Sequence, residues 1–368
     1  MKREKVKLAV IGGGISGLGI AWEAASRGIT TTLLESKSLA RATSDNSLRI
    51  IHGGFRYLQQ LDLPRVSQSI KDQKFMLDWA ADVVKPLPCL MPLRKMGLKS
   101  ALPAWCGAQL YNAMLLAYSH KTANAKIISS KRLKASLPAQ ADLFPYGALH
   151  WGDALCSDPA LLAEKVRKEA IDAGAEIREE SPCLKVLKRE DGFAVFTPAG
   201  ELHAQVVVNA TGPWLRLLPL EGITPLLRPC GWCKAFNIVF KKSFIEQFAV
   251  GSEDASGRLL FLVPRDGGSA LGTEYHEFNG DPGDVRISEE EIASFVARAK
   301  SAFPLFDFNA AIEKVECGIL PVRAKRKNSF SLYSLEQIAS SDGYIEVLSA
   351  KYTAFRSQAK KVVEIASI

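Results

Sequence analysis

Val6–Glu35 reads VKLAVIGGGISGLGIAWEAASRGITTTLLE, and the order of residue types in it decides the fold. Lys7 to Ile11 is a short apolar run, the pattern of a strand buried on both faces of a parallel sheet. Gly12-Gly13-Gly14-Ile15-Ser16-Gly17 follows at once. Ile15, Leu18, Ala21, Trp22 and Ala25 then recur at helical spacing until Gly28 stops the helix. Ile29 to Leu34 is a second apolar run, ending at Glu35. Each part has a physical task. Gly12 permits the tight turn, Gly14 lets a pyrophosphate approach the backbone, and Gly17 lets helix and strand pack closely. The first helical N–H groups, at Ile15 and Ser16, point at the phosphates, and the helix dipole favours their charge. Glu35, 18 residues past Gly17, is placed to accept hydrogen bonds from ribose hydroxyls, with Ser36 beside it. This is a dinucleotide-binding β-α-β unit, and its motif alone does not separate NAD from FAD.

Composition bounds the rest. A chain of 368 residues, 47% hydrophobic and 23% charged, can fill the core of a two-lobed globular protein, and it carries no signature of disorder. The net charge of +8 admits nucleic acid, an anionic membrane surface or an anionic substrate as partner. The basic residues are scattered apart from Arg323, Lys325, Arg326 and Lys327. No aromatic-interleaved basic motif accompanies that cluster, which argues against nucleic acid. The seven cysteines are odd in number and irregularly spaced, as expected in a reducing, cytoplasmic compartment rather than in a disulfide framework. Cys230-Gly231-Trp232-Cys233 has redox spacing, but it precedes a β-rich run, Phe236 to Phe240, instead of opening a helix, so it reads as two core cysteines. The basic start Met1 to Lys5 imitates a secretory leader, yet the glycines that follow and Trp22-Glu23 make a strand and helix the better reading. No stretch reaches the roughly 20 apolar residues of a spanning helix, and no metal site is expected.

Later segments point to a flavin. Arg41 to Tyr57 begins small and polar, with Thr43 and Ser44 suited to a phosphate or ribityl chain. His52-Gly53-Gly54 is poor in side chains and suited to lying against a ring system, and Arg56 and Tyr57 then add a charge and a phenol. Val206 to Val208 is an apolar strand running into Asn209-Ala210-Thr211-Gly212, whose small residues allow close cofactor approach. Tyr344 to Leu348 reads as a final strand, and Lys351-Tyr352-Thr353-Ala354-Phe355 leads into an amphipathic helix from Arg356 to about Ile365. The positive dipole end of that helix, with Lys351, suits an anionic reduced ring, although Thr353 to Phe355 read equally well as an ordinary helix start.

Ala42-Thr43-Ser44 through His52-Gly53-Gly54-Phe55-Arg56-Tyr57-Leu58 resembles the signature of FAD-dependent glycerol-3-phosphate dehydrogenases and oxidases, members of the D-amino-acid-oxidase-like flavoproteins. Asp158 to Gly174, Val206 to Trp214, Leu271 to Glu274, Asn279 to Pro282 and Ser349 to Arg356 are similar to further segments of that family, in the same order. The resemblance implies an α/β (α+β) protein: a discontinuous Rossmann-like FAD-binding domain from residues 1–75, 145–215 and 315–368, with a mainly antiparallel substrate cap from 76–144 and 216–314. The cap is expected to hold a helix, Ser288 to Phe303. The long members carry a further C-terminal helical domain, and the resemblance is expected to stop short of it.

The same resemblance implies hydride transfer from the CH–OH carbon of a small anionic substrate to flavin N5. A protein group must take the hydroxyl proton, and others must hold the anion. His52 is the best-placed histidine, as proton acceptor or as an orienting flavin contact. His276, after Gly272-Thr273-Glu274, is expected to face the cleft. His120, His150 and His203 have no supporting context. Arg56 is the expected anion anchor, with Tyr57, Arg323 and Lys351 as further substrate contacts. One departure stands out: the family's phosphate-binding arginine is replaced by Leu320, and a second falls at about Ser331. Three readings follow: a glycerol-3-phosphate dehydrogenase-type enzyme, a related flavoenzyme for a 2-hydroxy acid or amino acid, and a non-catalytic flavin-binding subunit. Quinone, oxygen or a partner subunit remain open as electron acceptor, and the oligomeric state stays open. A basic face admits peripheral attachment to the inner side of a membrane.

Overall fold

The computed structural model describes residues 4–120, 122–326 and 329–366; Lys327 of the basic cluster and the first three residues of the leader-like start lie outside these. The expected opening unit is present as strand Glu4–Ile11, helix Ile15–Ser26 and strand Thr31–Leu34. The first strand pairs in parallel with Thr31–Leu34 on one side and with Gly200–Asn209 on the other. Glu176–Arg178 and Tyr344–Leu348 extend the parallel row at its two ends. Leu8, Val10, Leu33, Val206 and Val208 face three helices, meeting Leu18 and Ala21 of Ile15–Ser26, Val166 of Pro159–Asp172 and Val362 of Phe355–Ala366. Ala9, Ile11, Leu34 and Val207 face the opposite way, against Phe193 and Val195 of an antiparallel hairpin. Both faces are covered, so the buried stretches Leu8–Ile11, Leu33–Leu34 and Val206–Val208 are apolar at every position. Burial of each such Leu or Val contributes about 1.5–3 kcal/mol.

A second sheet of ten strands is antiparallel except where Ala249–Glu253 pairs with Val84–Pro92. Phe236, Ile238, Phe240 and Leu271 on one of its faces pack against Phe295 and Ala299 of helix Glu289–Ala302 and Phe303 just after it. Ser288 starts that helix with a reciprocal cap: its hydroxyl accepts from Glu291 N, and the Glu291 carboxylate accepts from Ser288 N. The other face meets the loop that follows the nucleotide unit, where Gly318 packs on Thr43.

The second sheet also takes in Ile50–Ile51 and Ala148–Cys156. Both come from segments placed with the nucleotide unit on sequence. Asp158 caps helix Pro159–Asp172 by accepting from Ala160 N, so the chain crosses from the second sheet back to the first within a few residues. Among the described residues, no helix is long and apolar enough to cross a membrane.

Candidate active site

The nucleotide end assembles as the glycines require. Gly12 has φ +105°, and a Cβ there would lie 2.7 Å from the Ala210 carbonyl oxygen. A Cβ on Gly17 would lie 1.9 Å from Gly12 O, so neither position admits a side chain. At Gly14 a Cβ would meet only Ser44 Oγ, at 3.3 Å, which leaves room above the helix N-terminus. Ser44 Oγ accepts from Ile15 N at 3.0 Å, bringing the small polar loop over that terminus. Thr43 closes the loop from the other side: its hydroxyl accepts from Ile319 N (3.0 Å) and donates to Ile319 O (3.2 Å). The Glu35 carboxylate accepts from Gly13 N, Ser36 Oγ and Lys37 N, and a carboxylate has further lone-pair capacity for ribose hydroxyls. Ala210 packs on Gly12, while Thr211 donates from its amide and hydroxyl to Asn209 Oδ1, and Gly212 takes φ +57°. These residues fit a dinucleotide: the turn is glycine-only, the N-cap residue Gly14 brings no side chain over the helix N-terminus, and the acid stands beside it.

The ring end is built from His52–Tyr57. Gly53 and Gly54 are buried, Gly54 with φ +90°. A Cβ on Gly53 would lie 2.2 Å from Tyr111 Oη and 2.8 Å from Gln73 Oε1. His52, Gly54, Phe55, Arg56 and Tyr57 line one small cavity with Trp151 and Asp153. His52 Nδ1 lies 2.8 Å from Asp153 Oδ2, and Gly53 N donates to Asp153 Oδ1 at 2.8 Å. From the far end of the sequence, the Lys351 ammonium sits 4.5 Å from the centre of the Tyr57 ring, and the Arg65 guanidinium 4.1 Å from it. Lys351 precedes a short turn, Tyr352–Ala354, and helix Phe355–Ala366, close to the expected start. Thr353 lies in that turn. Tyr352 is held by packing in the helical core and by its hydroxyl donating to Pro159 O at 3.2 Å.

Several sequence candidates do not join this group. His276 does not face the cleft. Its ring nitrogens lie 3.3 Å from Glu274 and from Glu291, on the side of helix Glu289–Ala302. The cause is a bulge opposite Phe236/Ile238 that breaks the alternation of strand Gly268–Phe278. Arg323 is exposed on Ile312–Arg326, its carbonyl accepting from Cys230 Sγ, and Lys325 pairs with Glu277 instead. Leu320 sits opposite Cys233 in the second sheet. Cys230 is exposed while Cys233 is buried within a strand, and burial pushes the Cys233 thiol up to about 12, so the C-x-x-C does not present two accessible thiols. His120 is lowered to about 4 by burial, His150 is lowered by burial and then by Lys126, and His203 lies 3.6 Å from Asp191. Asp153, Trp151, Tyr111 and Arg65 were not singled out on sequence, since nothing local distinguishes the acid in His150-Trp151-Gly152-Asp153.

The chain matches the family model described as FAD dependent oxidoreductase over residues 7–341. It is 28% identical over 377 residues to an aerobic glycerol-3-phosphate dehydrogenase of Bacillus subtilis, covering 99% of this chain and 67% of the relative. It is 30% identical over 305 residues to a glycerol-3-phosphate dehydrogenase of Pseudomonas aeruginosa, covering 79% and 56%. The chain therefore spans between half and two thirds of the length of these curated relatives. The solved structure of a glycerol-3-phosphate dehydrogenase from Bacillus halodurans complexed with FAD superposes with a TM-score of 0.73 at 22% identity, over 100% of this chain and 65% of that one.

Proposed function

The chain belongs to the FAD dependent oxidoreductase family, and from that premise we propose that it oxidises the secondary alcohol of glycerol 3-phosphate to a ketone. One observation carries the reading: Lys351 meets Tyr57 beside the cavity that His52 and Arg56 line. A cation pair and a proton acceptor thus stand beside the side-chain-poor segment suited to a flavin ring. Bound FAD supplies the acceptor for the hydride. This chain's residues do the rest. Arg56 and Lys351 hold the phosphate, a guanidinium by paired hydrogen bonds and an ammonium as a point charge. His52 takes the hydroxyl proton as the carbinol C–H is lost. Trp151 and Phe55, stacked at 5.7 Å, keep water from the cavity floor.

The test is anaerobic titration of the purified yellow protein with glycerol 3-phosphate, followed by flavin absorbance. Bleaching is expected. No bleaching with glycerol 3-phosphate, together with bleaching by a 2-hydroxy acid or amino acid, would overturn the assignment. Leu320, apolar where the family carries a phosphate-binding arginine, favours that second reading.

We also infer that the protein works on the cytoplasmic face of a membrane. Helix Ala101–Ala117 contains no charged residue and leaves Leu102, Trp105, Leu110 and Leu116 exposed, continuing the exposed Met96 and Leu98. An uncharged helix face with an exposed tryptophan and a basic chain suits an anionic bilayer surface. Co-sedimentation with anionic vesicles, lost in Trp105→Asp, is expected; equal binding of both proteins would refute it.

A further inference from the structure

We propose that Asp153 is a positioning residue that fixes the tautomer of His52 and balances the positive charge His52 gains when it accepts the substrate proton. The proposal rests on His52 as the proton acceptor. Strand Ala148–Cys156 pairs with Ile50–Ile51, so the chain leaving Ile51 passes directly beside Asp153. The side chain of Asp153 is 1% exposed. One of its oxygens takes the Gly53 amide and the other faces His52 Nδ1, both at 2.8 Å. This two-point grip holds the ring to the backbone that follows it.

The surroundings of the carboxylate are otherwise neutral. Cys89 Sγ lies 3.8 Å from Asp153 Oδ2, and burial pushes its thiol well above the ordinary range. Burial does the same to the Tyr111 phenol, with Asp153 adding to it. Among the described residues, no lysine or arginine is paired with Asp153, and His52 is the group that can carry a positive charge against it. A buried carboxylate without a cation is costly, so it draws the Nδ1 proton into the shared hydrogen bond. The lone pair is then on Nε2, which has no protein partner among the described residues. In the reaction the substrate O–H bond breaks, its proton goes to Nε2, the C–H pair leaves as hydride to bound FAD, and the C=O bond forms. The resulting imidazolium lies 2.8 Å from Asp153. The logic is that of the acid behind the histidine in a catalytic triad.

The test is Asp153→Asn in the FAD-loaded protein. The amide nitrogen can donate to Nδ1 and so force the proton onto Nε2, the wrong tautomer. Flavin content and half-saturating substrate concentration are expected to stay within about threefold of wild type, while the flavin reduction rate at saturation falls by at least about 100-fold and recovers in part as pH rises. A rate within about fivefold of wild type would overturn the proposal. Nitrogen NMR of histidine-labelled wild-type protein, with His52→Gln for assignment, needs neither substrate nor a folded Asp153 variant. Protonated Nδ1 with unprotonated Nε2 is expected, and the opposite tautomer sinks the idea. If the tautomer is as stated but glycerol 3-phosphate fails to bleach the flavin, the substrate assignment alone has failed.

Discussion

Asp72→Asn should make the protein more stable at alkaline pH and, by up to about 1 kcal/mol, less stable near pH 4. Asp72 lies on helix Leu63–Trp79 and faces the last helix. It accepts from Gln68 Nε2 at 3.1 Å and from Ser357 Oγ at 3.2 Å. Burial raises its carboxyl from 3.8 to about 6; the two hydrogen bonds and Lys351 pull it back, and Glu336 pushes it up. The folded protein therefore holds this proton up to about pH 6, whereas the unfolded chain releases it near 3.8. Between those values the native state binds more protons, so stability falls as pH rises and the loss is complete above pH 6. The 2.2-unit difference (6 minus 3.8) amounts to about 3 kcal/mol at most. Asparagine cannot ionise but weakens one accepted hydrogen bond, about 1 kcal/mol, so a net gain of about 2 kcal/mol remains at pH 8. With an unfolding entropy of about 2.1 cal/mol/K per residue, that is a rise of about 3 °C in Tm. Scanning calorimetry of both proteins at pH 8 and pH 4 checks it. Equal destabilisation of the variant at both pH values would refute the account of Asp72 as a half-buried, proton-holding acid.

Three further outcomes follow from the site. Gly53→Ala places a methyl 2.2 Å from Tyr111 Oη; a loss of about 1–3 kcal/mol by thermal denaturation and a lower flavin content per chain are expected, and an unchanged Tm would contradict the packing. Arg56→Gln should raise KM for glycerol 3-phosphate about tenfold or more while bound flavin is unchanged, read by steady-state kinetics. Glu35→Ala should weaken FAD retention by about tenfold, the worth of roughly one charge-assisted hydrogen bond, read by flavin fluorescence on dilution.

The nucleotide end was legible because its constraints are local. Gly12 and Gly17 exclude a Cβ through contacts set by one turn, and Glu35 stands at a fixed distance along the same β-α-β unit. The last strand was legible as a short, mainly apolar run and the helix from its spacing, Tyr344–Leu348 as expected and the helix within a residue. Asp153 was not, because its relation to His52 spans 101 residues and depends on the pairing of Ile50–Ile51 with Ala148–Cys156. His276 was misread for a different reason. Its place after Gly272-Thr273-Glu274 pointed it to the cleft, and the bulge before it turns it to the other face without leaving a mark in composition. Arg65 joined the site unannounced because helix Leu63–Trp79 carries it back over Tyr57.

The pairing of Glu4 with Leu202 has a consequence for synthesis. The first strand leaves the ribosome 198 residues (202 minus 4) before the strand that completes its side of the sheet. At about 5–20 residues per second it waits for some 10–40 s. Even then Gly19 stays uncovered until Phe355 arrives. The nucleotide unit, first in the sequence, is thus among the last parts of the molecule to be finished. Through that interval Leu8, Val10 and Leu18 lack much of their final packing, and a holding chaperone has its clearest target there.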